Sequence, residues 1–299
     1  MNSFQVSLIF AFLAMIGWGV GDFLIQKTVR KVGDFQTLLW IDLVAAVVLL
    51  PFVWQDLPAM FIWDNTRSLL LMTLAELLYS ILLFKAYNKG KLSVVEMILI
   101  GELPFTIILG LLFFKETLSW SQLLVVIAII TGVCLISKSR RQWWEQWRYF
   151  GKKSNFIWEK GALLALAAVI FSALYNFLIT SNARNISAFT AVWFPWTFGS
   201  LFLLGYIWYS QGWYSFWRSS FNYRRLILIT ALIDTAAWLF YALATQREEL
   251  SIITTIVAGY AVIAMILGVK FNGERISLWQ YIGAVIVMSG VIVMGLISG

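Results

Sequence analysis

Histidine is missing from this sequence of 299 residues, cysteine occurs once, and charged residues make up only 12% of the chain. Without histidine the chain lacks the most common metal ligand and general base, which argues against a metalloenzyme and a Ser-His hydrolase. A single cysteine, Cys134, excludes a framework of disulfides within the chain. Soluble proteins are about 25% charged, so the low charge is unlike that of a soluble domain. We expect no metal, no cofactor and no enzymatic activity.

Apolar residues dominate what is present, at 61% of the chain with 17% aromatic residues. A helix needs about 20 apolar residues to cross a bilayer. Apolar runs of suitable length fall near residues 4–28, 35–54, 66–88, 92–114, 120–137, 160–182, 187–210, 221–244, 250–271 and 277–297. The first run has no basic region or cleavage site of a signal peptide before it, so we expect it to be a retained helix. The sequence therefore predicts an all-α, polytopic membrane protein of ten transmembrane helices.

The chain contains two copies of one helical segment. Residues 92–136 align with residues 250–294 at a constant offset of 158, and the first two helices of each half align at an offset of 154. The identities include polar residues in a short connector, namely the pairs Glu116/Glu274, Ser119/Ser277 and Gln122/Gln280. We predict a first five-helix repeat over 1–137, a linker over 138–159 and a second five-helix repeat over 160–299. Because five is odd, the halves have opposite orientations, which makes a 5+5 inverted repeat of the kind found in transporters.

Basic residues lie mainly in connectors, so the net charge of +7 gives no reason to expect nucleic acid as a partner. The odd-numbered connectors and adjoining helix ends hold 18 Lys and Arg residues, whereas the even-numbered ones hold four and the termini none. By the positive-inside rule, this places the odd connectors in the cytoplasm and both termini outside, in a multi-pass protein of the cytoplasmic (inner) membrane. The linker 138–159 is therefore predicted to be cytoplasmic. Its four tryptophans favour an amphipathic segment at the membrane interface.

Acidic residues inside apolar runs are the first candidates for function, because a charge is costly to place in a membrane. They are Asp22, Asp42, Glu76, Glu96, Glu102 and Asp234. Glu96 lies about one turn into its helix and is interpreted as a helix cap. For Asp42, pairing with a nearby lysine and a functional role both stay open. The other four lie deeper, and Glu76 and Asp234 correspond under the repeat, one in each half.

Aromatic residues share helix faces with these deep carboxyl groups, at helical spacing. Although such stripes are often ordinary packing, an aromatic ring beside a carboxylate is also the combination that holds an amine or another cation. Under the repeat, Asp22 corresponds to Asn176 and Glu102 to Tyr260. The predicted site for substrate or protons consists of Asp22, Glu102, Glu76, Asp234, Trp18, Tyr79, Asn176, Trp238, Tyr241 and Tyr260.

Glu102 lies two residues before Pro104, whose missing N–H and bulky ring loosen the preceding helical turn. We expect backbone carbonyls near residues 100–101 to face a wet cavity there. Glu102 and Asp22 are then candidates to handle a coupling proton or the positive charge of a substrate. The alternative for Glu102 is a hydrogen-bonded residue of helix packing.

Three further features are interpreted as structural. Glu116 and Glu274 lie in connectors and are expected to bond helix N-terminal N–H groups or a basic partner. Lys27 is expected to snorkel or to form a pair near its helix end. Gly17 and Gly21 have the G-x-x-x-G spacing that lets a neighbouring helix come close.

Four motifs stand out in the apolar runs and their connectors. They are the Gly-Trp-Gly of helix 1, the Glu-Leu-Pro-Phe-Thr segment at 102–106, the Phe-Lys-Glu-Thr-Leu connector at 114–118 and the run from Gln122 to Gly132. Together they resemble the drug/metabolite transporter superfamily, and in particular its ten-helix EamA-type branch. The resemblance covers essentially the whole chain. It implies a secondary transporter of small metabolites such as amino acids, with termini usually inside, opposite to what the charges predict. Asp22 replaces the uncharged residue usual in relatives, which disfavours a neutral substrate.

These observations predict a secondary active transporter or exporter that moves an amino acid, amine or similar metabolite by alternating access, with protons as a possible coupling ion. Its expected partners are a small-molecule substrate, the lipid bilayer and protons, and the chain is a monomer or a homodimer. The alternative is a lipid or polyprenyl-phosphate flippase of the same architecture. A phosphate needs cationic groups in the groove, and only Lys27 and Lys85 come near mid-helix.

Overall fold

The computed structural model describes residues 3–137, 161–210, 220–274 and 278–298, and within them the chain is helical with no β-strand. The predicted interfacial segment in the linker 138–159 lies outside these residues. The α-helices are α1 (Ser3–Val32), α2 (Asp34–Val53), α3 (Leu57–Met60), α4 (Trp63–Lys89), α5 (Leu92–Leu99), α6 (Glu102–Phe113), α7 (Trp120–Ser137), α8 (Ala162–Asn185), α9 (Ala188–Ser210), α10 (Arg224–Thr245), α11 (Leu250–Val257), α12 (Tyr260–Asn272) and α13 (Leu278–Ile297). A short 3₁₀ helix, Trp54–Asp56, joins α2 to α3.

Eight helical stretches in the described part of the chain are long and apolar enough to cross a membrane. They correspond to eight of the ten predicted runs. The fourth and fifth runs hold shorter helices, so the predicted number of ten spans is not confirmed. Large apolar side chains cover the outer surface, for example Leu112 at 68% and Ile170 at 63% exposed. Water would disfavour such a surface, whereas lipid tails solvate it, so the chain is a multi-pass membrane protein.

The fourth apolar run, predicted as one helix over 92–114, is two helices. α5 ends before Ile100 and α6 begins at Glu102, with tight backbone bonds from Gly101 N–H to the carbonyl of Ile98 and from Leu103 N–H to that of Ile100. The run at 250–271 breaks in the same way, between α11 and α12 at Gly259.

The second break shows that proline is not the common cause of the interruption. Val262 stands where the first half has Pro104, yet the chain turns at the same place. Glycine is the shared residue. A Cβ atom on Gly101 would lie 2.9 Å from the carbonyl oxygen of Ile98, and one on Gly259 would lie 2.6 Å from the sulfur of Met15. A break at this place therefore does not require a proline, although Pro104 follows the break in the first half.

Helices of the first half pack mainly against helices of the second half. α1 lies along α10, α4 lies along α8, α2 lies along α9, and α7 lies along α13. Exchanging the two halves interchanges the α1–α10 and α4–α8 pairings and maps the α2–α9 and α7–α13 pairings onto themselves. The glycines of the G-x-x-x-G spacing serve the first pairing, because a Cβ atom on Gly17 would lie only 2.7 Å from the Cβ of Ala237. These contacts place α1, α4, α8 and α10 around the centre of the molecule.

Candidate functional site

A narrow cavity lies among the central helices, lined by residues of α1, α2, α4, α5, α6, α8, α9, α10 and α12. Its volume is about 30 Å³, which is room for about one water molecule. The structure therefore describes a closed conformation, and a metabolite fits only after the helices move apart. The cavity is bordered by side chains from both halves of the chain.

Nine of the ten predicted site residues line this cavity. They are Trp18, Asp22, Glu76, Tyr79, Glu102, Asn176, Asp234, Trp238 and Tyr260. Tyr241 lies in an adjoining smaller pocket, which shares Trp18, Glu102, Asn176 and Tyr260 with the first. The structure thus brings the predicted residues together. Their binding of a substrate or a proton is a proposal, argued below.

Residues that the sequence did not place in the site also line the cavity, and Asp42 is the most informative of them. Asp42 is 1% exposed, and neither of its carboxyl oxygens receives a hydrogen bond within the described chain. It lies one residue after Ile41 on the cavity face of α2. Tyr175, next to Asn176, and Ser172, one turn before Asn176, complete the same wall on α8. Helical spacing from Asn176 would have found Ser172.

The buried acidic residues form two clusters, defined by which charges lie close enough to interact. In the first acidic cluster, Asp42, Glu76 and Asp234 interact in all three pairs. In the second acidic cluster, Asp22, Glu96 and Glu102 likewise interact in all three pairs. Asp22 and Asp234 form the link between the clusters. Like charges repel inside a protein, so the site favours protons or a bound cation.

Hydroxyl groups donate hydrogen bonds to only some of the carboxyl oxygens in the acidic clusters. Ser80 donates a hydrogen bond to Oε1 of Glu76 at 2.7 Å, while Oε2 of Glu76 has no partner in the described chain. Ser172 donates to Oε2 of Glu102. An unpaired buried oxygen costs free energy unless a ligand, a proton or water meets it.

Glu96 does not cap its helix, contrary to the interpretation from sequence. It is fully buried in α5 and accepts a hydrogen bond from the hydroxyl of Tyr87 on α4, and no side chain caps α5 at Lys91. The repeat places Thr254 at the position of Glu96, and Thr254 bonds to the hydroxyl of Tyr241 at 2.9 Å. Each half therefore has a tyrosine bonded to its broken helix, but only the first half has a carboxyl group there.

Aromatic rings line the cavity beside the acidic clusters. The ring of Trp238 lies 4.6 Å from that of Trp18 and 4.7 Å from that of Tyr175, measured between centroids. Tyr79 lies 6.3 Å from both Trp238 and Tyr175. Such offset and edge contacts hold the rings rigidly, and their faces and edges present a polarised surface to a ligand.

No lysine or arginine stands among the described residues that line the cavity. The two lysines nearest to mid-helix contact aromatic rings instead. The ammonium group of Lys27 lies 4.3 Å from the ring centre of Phe23, and that of Lys85 lies 4.9 Å from the ring centre of Phe35. The lining of the cavity is therefore acidic and aromatic, without a compensating side-chain cation.

Outside the cavity, Glu116 joins the two halves. Its carboxylate accepts hydrogen bonds from the backbone N–H groups of Leu250 at 2.7 Å and Ser251 at 3.0 Å, and from the Ser251 hydroxyl at 2.7 Å. Arg184 approaches the same carboxylate at 3.4 Å and donates to the carbonyl of Glu248. Thus Glu116 caps α11 of the opposite half and not the helix that follows it.

Glu274 makes the corresponding bond in the other direction. Its carboxylate accepts a hydrogen bond from the backbone N–H of Ser93 at 3.2 Å, at the start of α5. Arg30, which aligns with Arg184, donates to the carbonyl of Gly90, which aligns with Glu248. We name these two sets of contacts the Glu116 clamp and the Glu274 clamp. Among the described residues, the Glu116 clamp has more hydrogen bonds than the Glu274 clamp.

Glu249 lies in the connector that precedes α11, outside the membrane-spanning helices. Partial burial, and to a smaller extent the negative charge of Glu116, raises the pKa of its carboxyl group. The effect of Glu116 on the pKa of Glu249 agrees with the position of the Glu116 carboxylate at the start of α11.

Comparison with known proteins gives a family match. The family model of the EamA-like transporter family matches residues 5–138 and again residues 159–296. A curated protein of Methanocaldococcus jannaschii, described as uncharacterized, is 29% identical over 139 residues, which are 45% of this chain and 98% of that protein. A solved crystal structure, described only as that of a protein, matches with a TM-score of 0.70 at 13% identity and covers 98% of this chain and 97% of its own. That structural likeness supports the fold alone.

Proposed function

Because this chain belongs to the EamA-like transporter family of the drug/metabolite transporter superfamily, we propose that it is a secondary active transporter or exporter of a small metabolite. The observation that carries this proposal is the closed acidic and aromatic cavity between the halves of the chain. Helix bundles of transporters hold their substrates at such central places. The metabolite is an amino acid, an amine or a similar molecule, and it crosses the cytoplasmic membrane.

We propose that alternating access follows from an inverted repeat of five helices. The supporting observations are the sequence offsets of 158 and 154 and the pairing of helices across the halves. In an inverted repeat, each half can take up the conformation of the other, which opens the cavity to the opposite side. The Glu116 clamp and the Glu274 clamp are then the contacts that differ between the two conformations, because each ties one half to a broken helix of the other.

We further propose that Glu102 and Asp22 handle the coupling proton. Both line the cavity, both are nearly buried, and their charges interact with each other. A carboxyl group that meets a positive substrate in one conformation and a proton in the next exchanges one for the other as access alternates.

The flippase alternative lacks support from the cavity. A lipid phosphate requires cationic or N–H donors, whereas the described lining offers carboxyl groups, and Lys27 and Lys85 contact aromatic rings. We therefore favour a metabolite over a phospholipid or a polyprenyl phosphate.

Uptake into vesicles tests the proposal. The purified chain, reconstituted into lipid vesicles, should move at least one metabolite of a panel of amino acids, amines and organic acids faster than protein-free vesicles do. A preloaded unlabelled metabolite should accelerate uptake of the same labelled metabolite, since alternating access allows exchange. If no member of the panel is moved by protein that is folded in the vesicles, the transporter proposal fails.

A further inference from the structure

The described lining of the cavity has acidic side chains and no basic side chains to neutralise them. Five carboxyl groups line it, and the described lining contributes no lysine or arginine. An ionised carboxylate in the interior of a membrane protein needs a partner of opposite charge, because desolvation costs several kcal/mol per ion. The excess of acidic groups therefore favours a ligand with more than one positive charge.

The acidic groups are divided between two places. The first acidic cluster holds Asp42, Glu76 and Asp234, and the second holds Asp22, Glu96 and Glu102. On the cavity wall, buried oxygens without a partner in the described chain occur on Asp42 and Glu76 of the first cluster. Of the second cluster, Asp22 and Glu102 line the cavity whereas Glu96 does not, and Glu102 also borders the adjoining smaller pocket, which no residue of the first cluster does. Carboxyl groups at both places can accept hydrogen bonds from an ammonium group.

Two tryptophans line the cavity together with these acidic residues. Trp18 precedes Asp22 by one helical turn on α1, and Trp238 follows Asp234 by one turn on α10, so each ring shares a helix face with an acidic residue. The two rings meet at 4.6 Å between their centroids. Their surface suits a short apolar chain, and their faces attract a cation at either end of it.

Ligands with a negative group fit this lining poorly. The carboxylate of an amino acid or a phosphate would meet carboxyl groups and no lining cation among the described residues. A single metal ion also fits poorly, because within the described chain no three acidic residues come together closely enough to hold one.

We infer that the substrate of this cavity is a linear diamine or polyamine, with one ammonium group at each acidic cluster and its methylene chain against Trp18 and Trp238. This inference rests on the proposed transport function and narrows its substrate.

Binding to the purified full-length chain gives the first test. The probes are 1,4-diaminobutane, butylamine, leucine and magnesium ion, each measured by calorimetry at one pH and salt concentration. We expect the diamine to bind at least about tenfold more tightly than butylamine, because only the diamine reaches both clusters. Equal binding of the two amines, tighter binding of leucine or magnesium, or no binding of the diamine would overturn the inference.

One variant in each cluster gives the second test. Asp42→Asn and Glu102→Gln, one lining residue of each cluster, should each reduce the preference for the diamine over butylamine from at least about tenfold to near one, since either variant leaves one ammonium group without its carboxylate. Asp64→Asn, which changes an exposed acidic residue at the start of α4, is the matched control and should keep the parent preference. Glu76→Gln replaces Asp42→Asn if that variant does not fold. An unchanged preference in folded variants of both clusters would refute the two-cluster site.

Uptake in vesicles separates this inference from the proposed function. If the chain transports another metabolite but neither binds nor moves the diamine, the diamine inference fails and the transporter proposal stands. If the diamine binds with the expected preference but nothing is transported, the site stands and the transporter proposal fails.

Discussion

Each carboxyl group around the cavity has different neighbours, and these neighbours determine what it can bind. Glu102 accepts a hydrogen bond from Ser172, whereas Asp42 has no hydrogen-bond partner in the described chain. A carboxyl group with a nearby hydroxyl keeps its position when it loses a ligand. One without any partner relies on a proton or on the ligand itself. Asp42 is therefore suited to the substrate, and Glu102 to an exchange between proton and substrate.

Glu102→Gln and Asp22→Asn should remove the coupling of transport to a pH gradient. Neither amide can take up and release a proton. Uptake driven by an imposed pH gradient should therefore fall at least about tenfold, a factor that corresponds to about 1.4 kcal/mol. Exchange of substrate without a gradient should be less affected. The measurement is uptake of a transported metabolite into vesicles, with Asp64→Asn as the control. Unchanged gradient-driven uptake in both folded variants would contradict the assignment.

The sequence identified most of the residues at the cavity but not all of them. Asp22, Glu76, Glu102 and Asp234 stand out because a charge is rare in an apolar run. Asp42 was equally conspicuous, but the sequence did not tell which face of α2 points inward, since that helix is apolar on all sides. The sequence predicts the wrong role for Glu96. Its position along α5 suggests a helix cap, whereas its side chain accepts a hydrogen bond from Tyr87 of another helix.

At the scale of elements, broken helices are the main departure from the predicted pattern. Hydropathy shows where the chain is apolar, and it does not show where a continuous apolar run changes direction. The two breaks occur at Gly101 and Gly259, which align under the repeat. Each break exposes the start of a second helix to the centre of the molecule. There Glu102 in one half and Tyr260 in the other occupy the first position.

Replacing the clamp acids should lower stability more than it changes substrate affinity. Glu116→Gln loses charge-assisted bonds to Leu250, Ser251 and Arg184, whereas Glu274→Gln loses one bond to Ser93. Bonds to a charged group contribute about 1.5 to 3 kcal/mol each. We expect a lower melting temperature in detergent for both variants, with the larger fall for Glu116→Gln. Thr117→Ala, an exposed change in the same connector, is the control.

One outcome would contradict the structural role of Glu116 and Glu274 in the clamps. If a Glu274→Gln or Glu116→Gln protein melts at the parent temperature but loses more than about tenfold in substrate affinity, about 1.4 kcal/mol, the residue is a ligand. The structural interpretation would then be wrong.

Gly110 should prove to be required by the Glu116 clamp. A Cβ atom on Gly110 would lie 2.7 Å from Oε2 of Glu116, so Gly110→Ala pushes the carboxylate away from α11. The substitution should lower the melting temperature in the parent and have a much smaller effect in a Glu116→Ala background, because the crowded carboxylate is then gone. Equal effects of Gly110→Ala in both backgrounds would show that the two residues act independently.

At the scale of the whole molecule, the sequence predicted the class and the family, and the structure supplies the packing between halves. Apolar runs and repeated connector residues are enough to predict the class and the family. The pairing of α1 with α10 and of α4 with α8 depends on close contacts such as that of Gly17 with Ala237. These contacts join residues far apart along the chain, so no local pattern of the sequence contains them.

The orientation of the molecule in the membrane is the remaining property at this scale, and the charge distribution predicts it. With 18 Lys and Arg residues at the odd connectors against four at the even ones, the odd side should face the cytoplasm. Exposed residues on each side allow a direct measurement. Asn222 adjoins the connector that precedes α10, on the odd side, and Thr117 lies in the even connector between α6 and α7.

Single cysteines at these two positions should report opposite sides of the membrane. In a Cys134→Ala background, which removes the one native cysteine, an impermeant thiol reagent applied to intact cells should label Thr117→Cys and leave Asn222→Cys unlabelled. Permeabilised cells should label both, which controls for accessibility of each cysteine. Labelling of Asn222→Cys and protection of Thr117→Cys in intact cells would mean that the termini lie inside, as is usual in the family. The Glu274 clamp would then lie on the external side, and the Glu116 clamp on the cytoplasmic side.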